Sequence, residues 1–209
     1  MKGLFITFEG PDGSGKTTQL QRVADALRQE GYEVLESREP GGTMLAEKVR
    51  DIVLDGSLPL LNKTEVLLYL AARSEHVSRV LQPALEAGKI VLCDRFSDST
   101  LVYQGLVKGL DADGLGMLRI LNDYASDGLT PDLTLVLDGR PEILAARRSL
   151  RGVSDRYEDR GLQFQKQVRQ GFLTLAAQEP QRMQLIDAEQ QEQMVCAAIM
   201  QAIKTILTR

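Results

Sequence analysis

The sequence predicts an α/β fold in which a parallel sheet of about five strands carries helices on both faces. Short apolar runs alternate along the chain with longer stretches of helical periodicity. Several of those runs are continuous rather than alternating, the pattern of strands buried on both faces. The first run also leads through a glycine-rich loop directly into a helical stretch, the opening of a doubly wound sheet.

The first strand is expected over residues 4–8, where Leu-Phe-Ile-Thr-Phe is stopped by Glu9. The helix after the loop places Leu20, Val23, Ala24 and Leu27 on one face. A second strand is expected at 33–35 and a long helix over 63–87, with Val66, Leu70, Val77, Leu81 and Leu85 on one side. Runs at 90–93, 133–137 and 183–186 complete the sheet. In the last helix Val195, Ile199, Ile203 and Leu207 recur every fourth residue, and Asp187 stands where a cap would open it.

At 209 residues the chain is expected to form one domain, 1–209, with a mobile lid at about 147–160. Five arginines there (Arg147, Arg148, Arg151, Arg156, Arg160) outnumber Asp155, Glu158 and Asp159, which leaves a basic excursion in an acidic protein. A composition of 43% hydrophobic and 26% charged residues excludes disordered and fibrous classes. The net charge of −4 supplies no global basic field, so neither nucleic acid nor a membrane is expected as a partner. Two cysteines, with no apolar run long enough to span a bilayer, point to a cytoplasmic protein.

Residues Gly10, Pro11, Asp12, Gly13, Ser14, Gly15, Lys16 and Thr17 match G-x-x-x-x-G-K-[ST] in full, between a strand and a helix. The glycines let successive backbone N–H groups turn toward a polyphosphate, and the helix N-terminus adds its dipole. Lys16 is expected to bridge the β- and γ-phosphates and the Thr17 hydroxyl to hold Mg²⁺. Asp94 and Arg95 end the third apolar run. Beside a phosphate loop, Asp94 reads as the carboxylate of the Mg²⁺ shell and Arg95 as a planar fork for a phosphate.

Other segments carry weaker signals. Glu39-Pro40-Gly41-Gly42-Thr43 is a tight turn at a strand end, where a backbone either approaches a ligand or simply turns. Tyr69 and Arg73 lie four apart on one helical face, able to stack a planar base and donate to its carbonyl edge. The same spacing serves a core tyrosine and a surface arginine. Tyr103 and Gln104 fit a ligand wall near the Asp94 strand end. His76, the only histidine, is expected to be a solvated helix residue, and Cys93 and Cys196 are expected to be core thiols. A phosphate loop alone admits a GTPase, a motor or a phosphotransferase. No N-K-x-D segment reads guanine, and a late arginine-rich excursion suits a kinase lid.

Together, F-E-G-P-D-G-S-G-K-T-T, E-P-G-G-T at 39–43, L-Y-L-A-A-R at 68–73 and D-R-F-S-D-S at 94–99 resemble the thymidylate kinase family nearly end to end. The resemblance implies a P-loop nucleoside monophosphate kinase fold, transfer of the γ-phosphoryl of ATP to dTMP with Mg²⁺, and a homodimer. It places ATP on the phosphate loop, including Thr18, with Arg147 nearby and Arg151 of the lid reaching toward the phosphates in a catalytic role beside Lys16, Asp94 and Arg95. It puts Asp12, Glu39, Pro40 and Ser99 in the acceptor site and Arg95 on the dTMP phosphate. Tyr69 then stacks thymine, Arg73 and Gln104 address its polar edge, and Tyr103 packs beside the deoxyribose. Pro11, Asp12, Gly13 and Ser14 include no basic residue, so the chain is similar to the branch that moves its catalytic arginine into the lid. Tyr69 stands where phenylalanine is more usual. A kinase of another nucleoside monophosphate or of a deoxynucleoside is the alternative, and a non-enzymatic nucleotide switch is the alternative from another class.

Overall fold

The computed structural model describes residues 3–149 and 160–208. Five parallel strands, β1 (Leu4–Glu9), β2 (Val34–Arg38), β3 (Ile90–Asp94), β4 (Leu133–Asp138) and β5 (Met183–Asp187), lie in the order β2-β3-β1-β4-β5. β1 is central, with Phe8 opposite Asp94 of β3 and Glu9 opposite Val136 of β4. The connection after β1 runs to β2 on one side and that after β3 runs to β4 on the other, and such open parallel sheets bind ligands beyond the carboxyl ends of their strands, here β1 and its neighbour β3.

The continuous apolar runs are explained by the two layers. Ile6 and Phe8 pack with Leu92 and Leu135 against α1 (Lys16–Gln29) and α9 (Glu192–Leu207), through Leu20, Val23, Leu27, Val195, Ile199 and Ile203. On the opposite face Phe5, Val91 and Cys93 meet Val77, Leu81 and Phe96. Further along that face, Val136 and Met183 pack on Val102, Val168 and Phe172. Nearly every residue of the three inner strands β1, β3 and β4 is thus buried whichever way it points, and polar alternation there would leave unpaired groups inside.

Three boundaries differ from expectation. The segment 63–87 is not one helix but α3 (Asn62–His76), a wide π-type stretch (Val77–Leu81) and α4 (Gln82–Glu86). Pro83 has no N–H to give and its ring crowds the carbonyl four residues back, and widening the preceding turn relieves both. β2 runs to Arg38 rather than ending at Leu35, because an edge strand tolerates Glu36, Ser37 and Arg38 beside solvent and a cavity. Asp187 does not cap the last helix. It ends β5 and accepts from Glu189 N at 2.9 Å, and Gln191 is the residue that opens α9.

The remaining helices are α2 (Met44–Leu54), α5 (Ser97–Thr100), continued by a π-type stretch (Leu101–Leu106), α6 (Ala112–Ala125), α7 (Pro141–Ser149) and α8 (Gly161–Gln178). Most of the expected lid, with Arg151 and Arg156, lies outside the described residues. Arg147 lies on α7, and its guanidinium donates to the carbonyls of Ala188 (2.6 Å) and Glu189 (3.2 Å), tying α7 to the β5–α9 connection.

Candidate active site

The phosphate loop leaves β1 at Gly10 and enters α1 at Lys16. A Cβ on Gly10 would stand 2.5 Å from the Leu137 carbonyl oxygen, so only glycine lets β4 pass this close to the loop. Gly15, at φ +89°, turns the chain into the helix in a left-handed conformation that other residues adopt at a cost. The buried Lys16 Nζ donates to the carbonyls of Gly10 (3.1 Å) and Pro11 (3.0 Å). Burial lowers its pKa to about 8. The ammonium therefore folds over the loop that a polyphosphate would fill. The Ser14 hydroxyl is buried there with no hydrogen-bond partner.

Thr17 Oγ1 donates to Asp94 Oδ2 at 2.7 Å, across the step from α1 to the end of β3. Two hard oxygen groups side by side fit a divalent cation that takes its other ligands from phosphate and water, as Mg²⁺ does.

Arg95 follows Asp94 with φ +71°, a left-handed backbone that aims its side chain back across the loop. Its Nη1 donates to Gly10 O (3.1 Å) and Ser99 Oγ (3.0 Å), and Nη2 pairs with Asp12 and reaches the Tyr103 hydroxyl (3.3 Å). The guanidinium also lies 5.1 Å over the Tyr103 ring, whose hydroxyl donates to Asp12 Oδ2 at 3.3 Å. Five groups thus hold one fork in place at the mouth of the phosphate loop.

A second fixed guanidinium lies further along. Arg73, 2% exposed, donates from Nε to Glu39 Oε2 (2.8 Å), from Nη1 to Asn122 Oδ1 and from Nη2 to Thr100 Oγ1 (3.1 Å), above the Phe96 ring. His76 is not solvated as expected. It is fully buried, with Nδ1 bonded to Glu39 Oε1 at 3.0 Å and Nε2 to Ser37 Oγ at 2.6 Å. It lies three residues past Arg73 on the same buried face of α3, and Gly42 leaves room for it, since a Cβ there would touch the ring at 2.5 Å. Burial alone would raise the Glu39 carboxyl; Arg73 and His76 outweigh it and leave the group below its ordinary range. The turn at 39–43 has a local purpose as well, because Thr43 Oγ1 caps α2 by accepting from Ala46 N at 3.1 Å.

One cavity of about 590 Å³ brings these groups together. It is lined at one end by Gly13, Gly15, Lys16, Thr17, Thr18 and Asp94, at its middle by Asp12, Arg95, Ser99 and Tyr103, and at the other end by Glu39, Pro40, Tyr69, Arg73 and Gln104. Gly10, Pro11 and Ser14 support the loop from behind without lining the cavity, and Arg147 lies away from it. Sequence reasoning missed Arg50, which lines the cavity and donates to Pro40 O at 3.0 Å, and the buried partners Asn122, Thr100 and Glu65.

It also missed Glu9, which had served only as the end of a strand. Glu9 is fully buried and accepts from Phe96 N (2.8 Å), Ser99 N (3.3 Å) and Ser99 Oγ (2.6 Å), bracing the segment that carries Arg95. Burial, with the charge of Asp98 behind it, raises its pKa to about 7. A carboxyl so raised keeps its proton between pH 4.5 and 7 in the native state while the unfolded chain releases it, so this group's contribution falls as pH rises through that window. Glu9→Gln, with no such proton to lose, is expected to show a flatter stability–pH slope than the wild type between pH 5 and 8. Parallel slopes in denaturant titrations of the two proteins would show that Glu9 ionises normally.

A phosphate loop between strand and helix, a carboxylate on the adjacent strand end and a polar crevice with two fixed guanidinium groups define a P-loop nucleotide-binding protein of the nucleoside monophosphate kinase fold. A sequence model described as thymidylate kinase matches residues 8–199, and the chain belongs to that family. Thymidylate kinase of Pseudomonas fluorescens is 50% identical over 191 residues, 91% of this chain and 90% of that protein. The Deinococcus radiodurans thymidylate kinase is 48% identical over 97% of each chain. A crystal structure of thymidylate kinase from Ehrlichia chaffeensis superposes with a TM-score of 0.79 at 33% identity, covering 97% of this chain and all of that one.

Proposed function

We propose that this protein transfers the γ-phosphoryl group of ATP to dTMP, giving dTDP and ADP. The observation that carries the reading is the single cavity joining the phosphate loop to Arg95 and, beyond it, to Tyr69, Arg73 and Gln104. A rigidly held cation one step from the donor phosphates calls for an anionic acceptor, which favours a nucleoside monophosphate over a nucleoside. The second pKa of such a phosphate is near ~6, so its attacking oxygen is already ionised at neutral pH. Deprotonation by a general base is then unnecessary, and His76 lies buried behind Glu39.

Each residue then acts by position or charge. Lys16 spans the β- and γ-phosphates, giving up its two loop carbonyls to do so. Arg95 grips the acceptor phosphate; Asp12 and Tyr103 hold that fork and flank the sugar. Tyr69 stacks the base, and Arg73 retains two N–H groups beyond the three that its protein partners occupy. Glu39, Pro40 and Ser99 complete the acceptor wall. Thr17 and Asp94 would hold Mg²⁺, which when bound neutralises charge on the phosphates. Arg151, outside the described residues, is assigned to the phosphates from the family resemblance.

We also assign the protein to the cytoplasm, on its two free cysteines and on the absence, among the described residues, of any helix long and apolar enough to cross a membrane. A homodimer is supported by Met117, Ile120 and Tyr124, exposed on α6, and by Leu67, exposed on α3, the helix that packs against α6.

A coupled ADP-release assay across nucleosides and monophosphates tests the reading. Preferential turnover of dTMP supports it. Slow hydrolysis indifferent to any acceptor would identify a nucleotide switch instead. Asp94→Asn keeps the shape and a hydrogen bond to Thr17 but removes the charge, so activity is expected to fall strongly and the Mg²⁺ requirement to rise. An unchanged Mg²⁺ titration would leave Asp94 with only a structural bond to Thr17.

A further inference from the structure

α5 is a single helical turn, and successive side chains leave a helix roughly 100° apart. Its last three residues use that fan. Ser99 Oγ accepts from Arg95 Nη1 at 3.0 Å, and Thr100 Oγ1 accepts from Arg73 Nη2 at 3.1 Å. Neighbouring residues thus give one hydroxyl to each of the two fixed guanidinium groups of the site. Asp98 faces a third way and is 2% exposed. Its Oδ2 accepts from Arg182 Nη1 (2.7 Å) and Thr134 Oγ1 (3.2 Å), and its Oδ1 accepts from Arg182 Nη2 (2.9 Å).

Arg182 stands in the turn that enters β5, outside the cavity lining. Its carbonyl accepts from Thr134 N at 2.9 Å and its Nη1 reaches Thr134 Oγ1 at 2.6 Å, so main chain and side chain both tie it to β4. Its Nε donates to Glu179 Oε2 at 2.8 Å. A planar fork of five N–H groups can meet both oxygens of one carboxyl group and still serve neighbours, which the single ammonium of lysine does not match. The other side of α5 is held from β1, where Glu9 accepts from Phe96 N and Ser99 N. Four residues of helix have little stability of their own, so these anchors decide where the turn sits.

We propose that Arg182 is a positioning residue for the acceptor site: by gripping Asp98 it fixes the turn whose next two hydroxyls hold Arg95 and Arg73 at one separation. This rests on the reading of Arg95 as the partner of the acceptor phosphate and Arg73 as that of its base. One sugar separates the two ends of a nucleoside monophosphate, so both cations must keep a single spacing to bind it at once. Ser99 and Thr100, bonded to one cation each, make α5 the spacer between them. A loosened spacer misplaces both, and small misplacements far from the chemistry are costly.

Arg182→Gln keeps a polar side chain but loses the two-pronged hold on Asp98. The KM for dTMP is expected to rise roughly tenfold, the scale of one misaligned charge-assisted hydrogen bond, with the KM for ATP within about twofold of the wild type. Ser99→Ala and Thr100→Val remove the two hydroxyls one at a time. Because Arg182 acts through them, each loss is already partly present in the Arg182→Gln protein. In each double variant the rise in KM for dTMP is therefore expected to fall short of the product of the single effects by roughly threefold or more. Arg182→Lys, which keeps the charge but not the fork, carries the same cycles should Arg182→Gln fail to melt cooperatively. Equal rises in both KM values, or effects that simply multiply in either cycle, would leave Arg182 a structural ion pair and overturn the proposal. Wild-type protein that phosphorylates thymidine as readily as dTMP would instead overturn the acceptor-site reading beneath it.

Discussion

Lys16→Ala is expected to leave the fold intact and to lower kcat by roughly 10²–10³-fold, the scale of removing one preorganised donor to developing charge. The side chain sits inside the loop and bonds the Gly10 and Pro11 carbonyls, but Lys16 itself lines the cavity, so truncating it lets water reach both carbonyls in place of the ammonium. No apolar packing is lost with it beyond a flexible stem. The effect should therefore appear in turnover and not in the melting curve. Burial has already brought the ammonium pKa down to about 8, so the charge that serves the phosphates is present below that value and declines above it in the empty protein. Bound polyphosphate restores it. Steady-state rates of the purified variant, with a melting curve, test this; near-native turnover would remove Lys16 from the chemistry.

That residues 10–16 form a loop from β1 into α1 was legible because the signal is local: glycines, lysine and threonine at fixed spacing, between a strand and a helix, need no distant partner to be read. Asp94 and Arg95 were legible for a related reason, since a strand end next to that loop in a parallel sheet has few other places to go. The alternation of strands and helices likewise gave the sheet, with its five parallel strands. What could not be read was pairing at long range. Glu39 meets Arg73 across 34 residues of sequence, Asn122 meets Arg73 across 49, and Glu9 meets Ser99 across 90. Each is a polar residue whose burial is tolerable only with its partner, and a single sequence shows no partner. His76 was misjudged on the same ground: one turn beyond Arg73 it shares that residue's face of α3, and nothing local showed that this face is buried against Glu39 and Ser37.

Arg73→Ala is expected to damage both stability and acceptor binding, and the two can be separated by pH. In the wild type the Glu39 carboxylate lies 6% exposed between Arg73 and His76. Removing one member of a buried pair typically costs about 3–5 kcal/mol, because the other charge stays behind without compensation. For a domain of this size that corresponds to a melting temperature lower by on the order of 10 °C. The wild-type Glu39 group is depressed, so its contribution is present above the ordinary glutamate range and is lost as pH falls through the native value. In the variant, burial dominates and raises the same group, so the native state takes up a proton and gains stability as pH falls. The gap between the two melting temperatures should therefore be widest near neutrality and narrow toward pH 4. A gap that does not change with pH would mean that the loss comes from packing against Phe96, Asn122 and Thr100 rather than from the stranded carboxylate. At neutral pH, below the melting transition, the KM for dTMP is expected to rise by roughly 10–100-fold as a charged hydrogen bond to the base disappears, with the KM for ATP little changed. Equal losses on both substrates would place Arg73 in the scaffold alone.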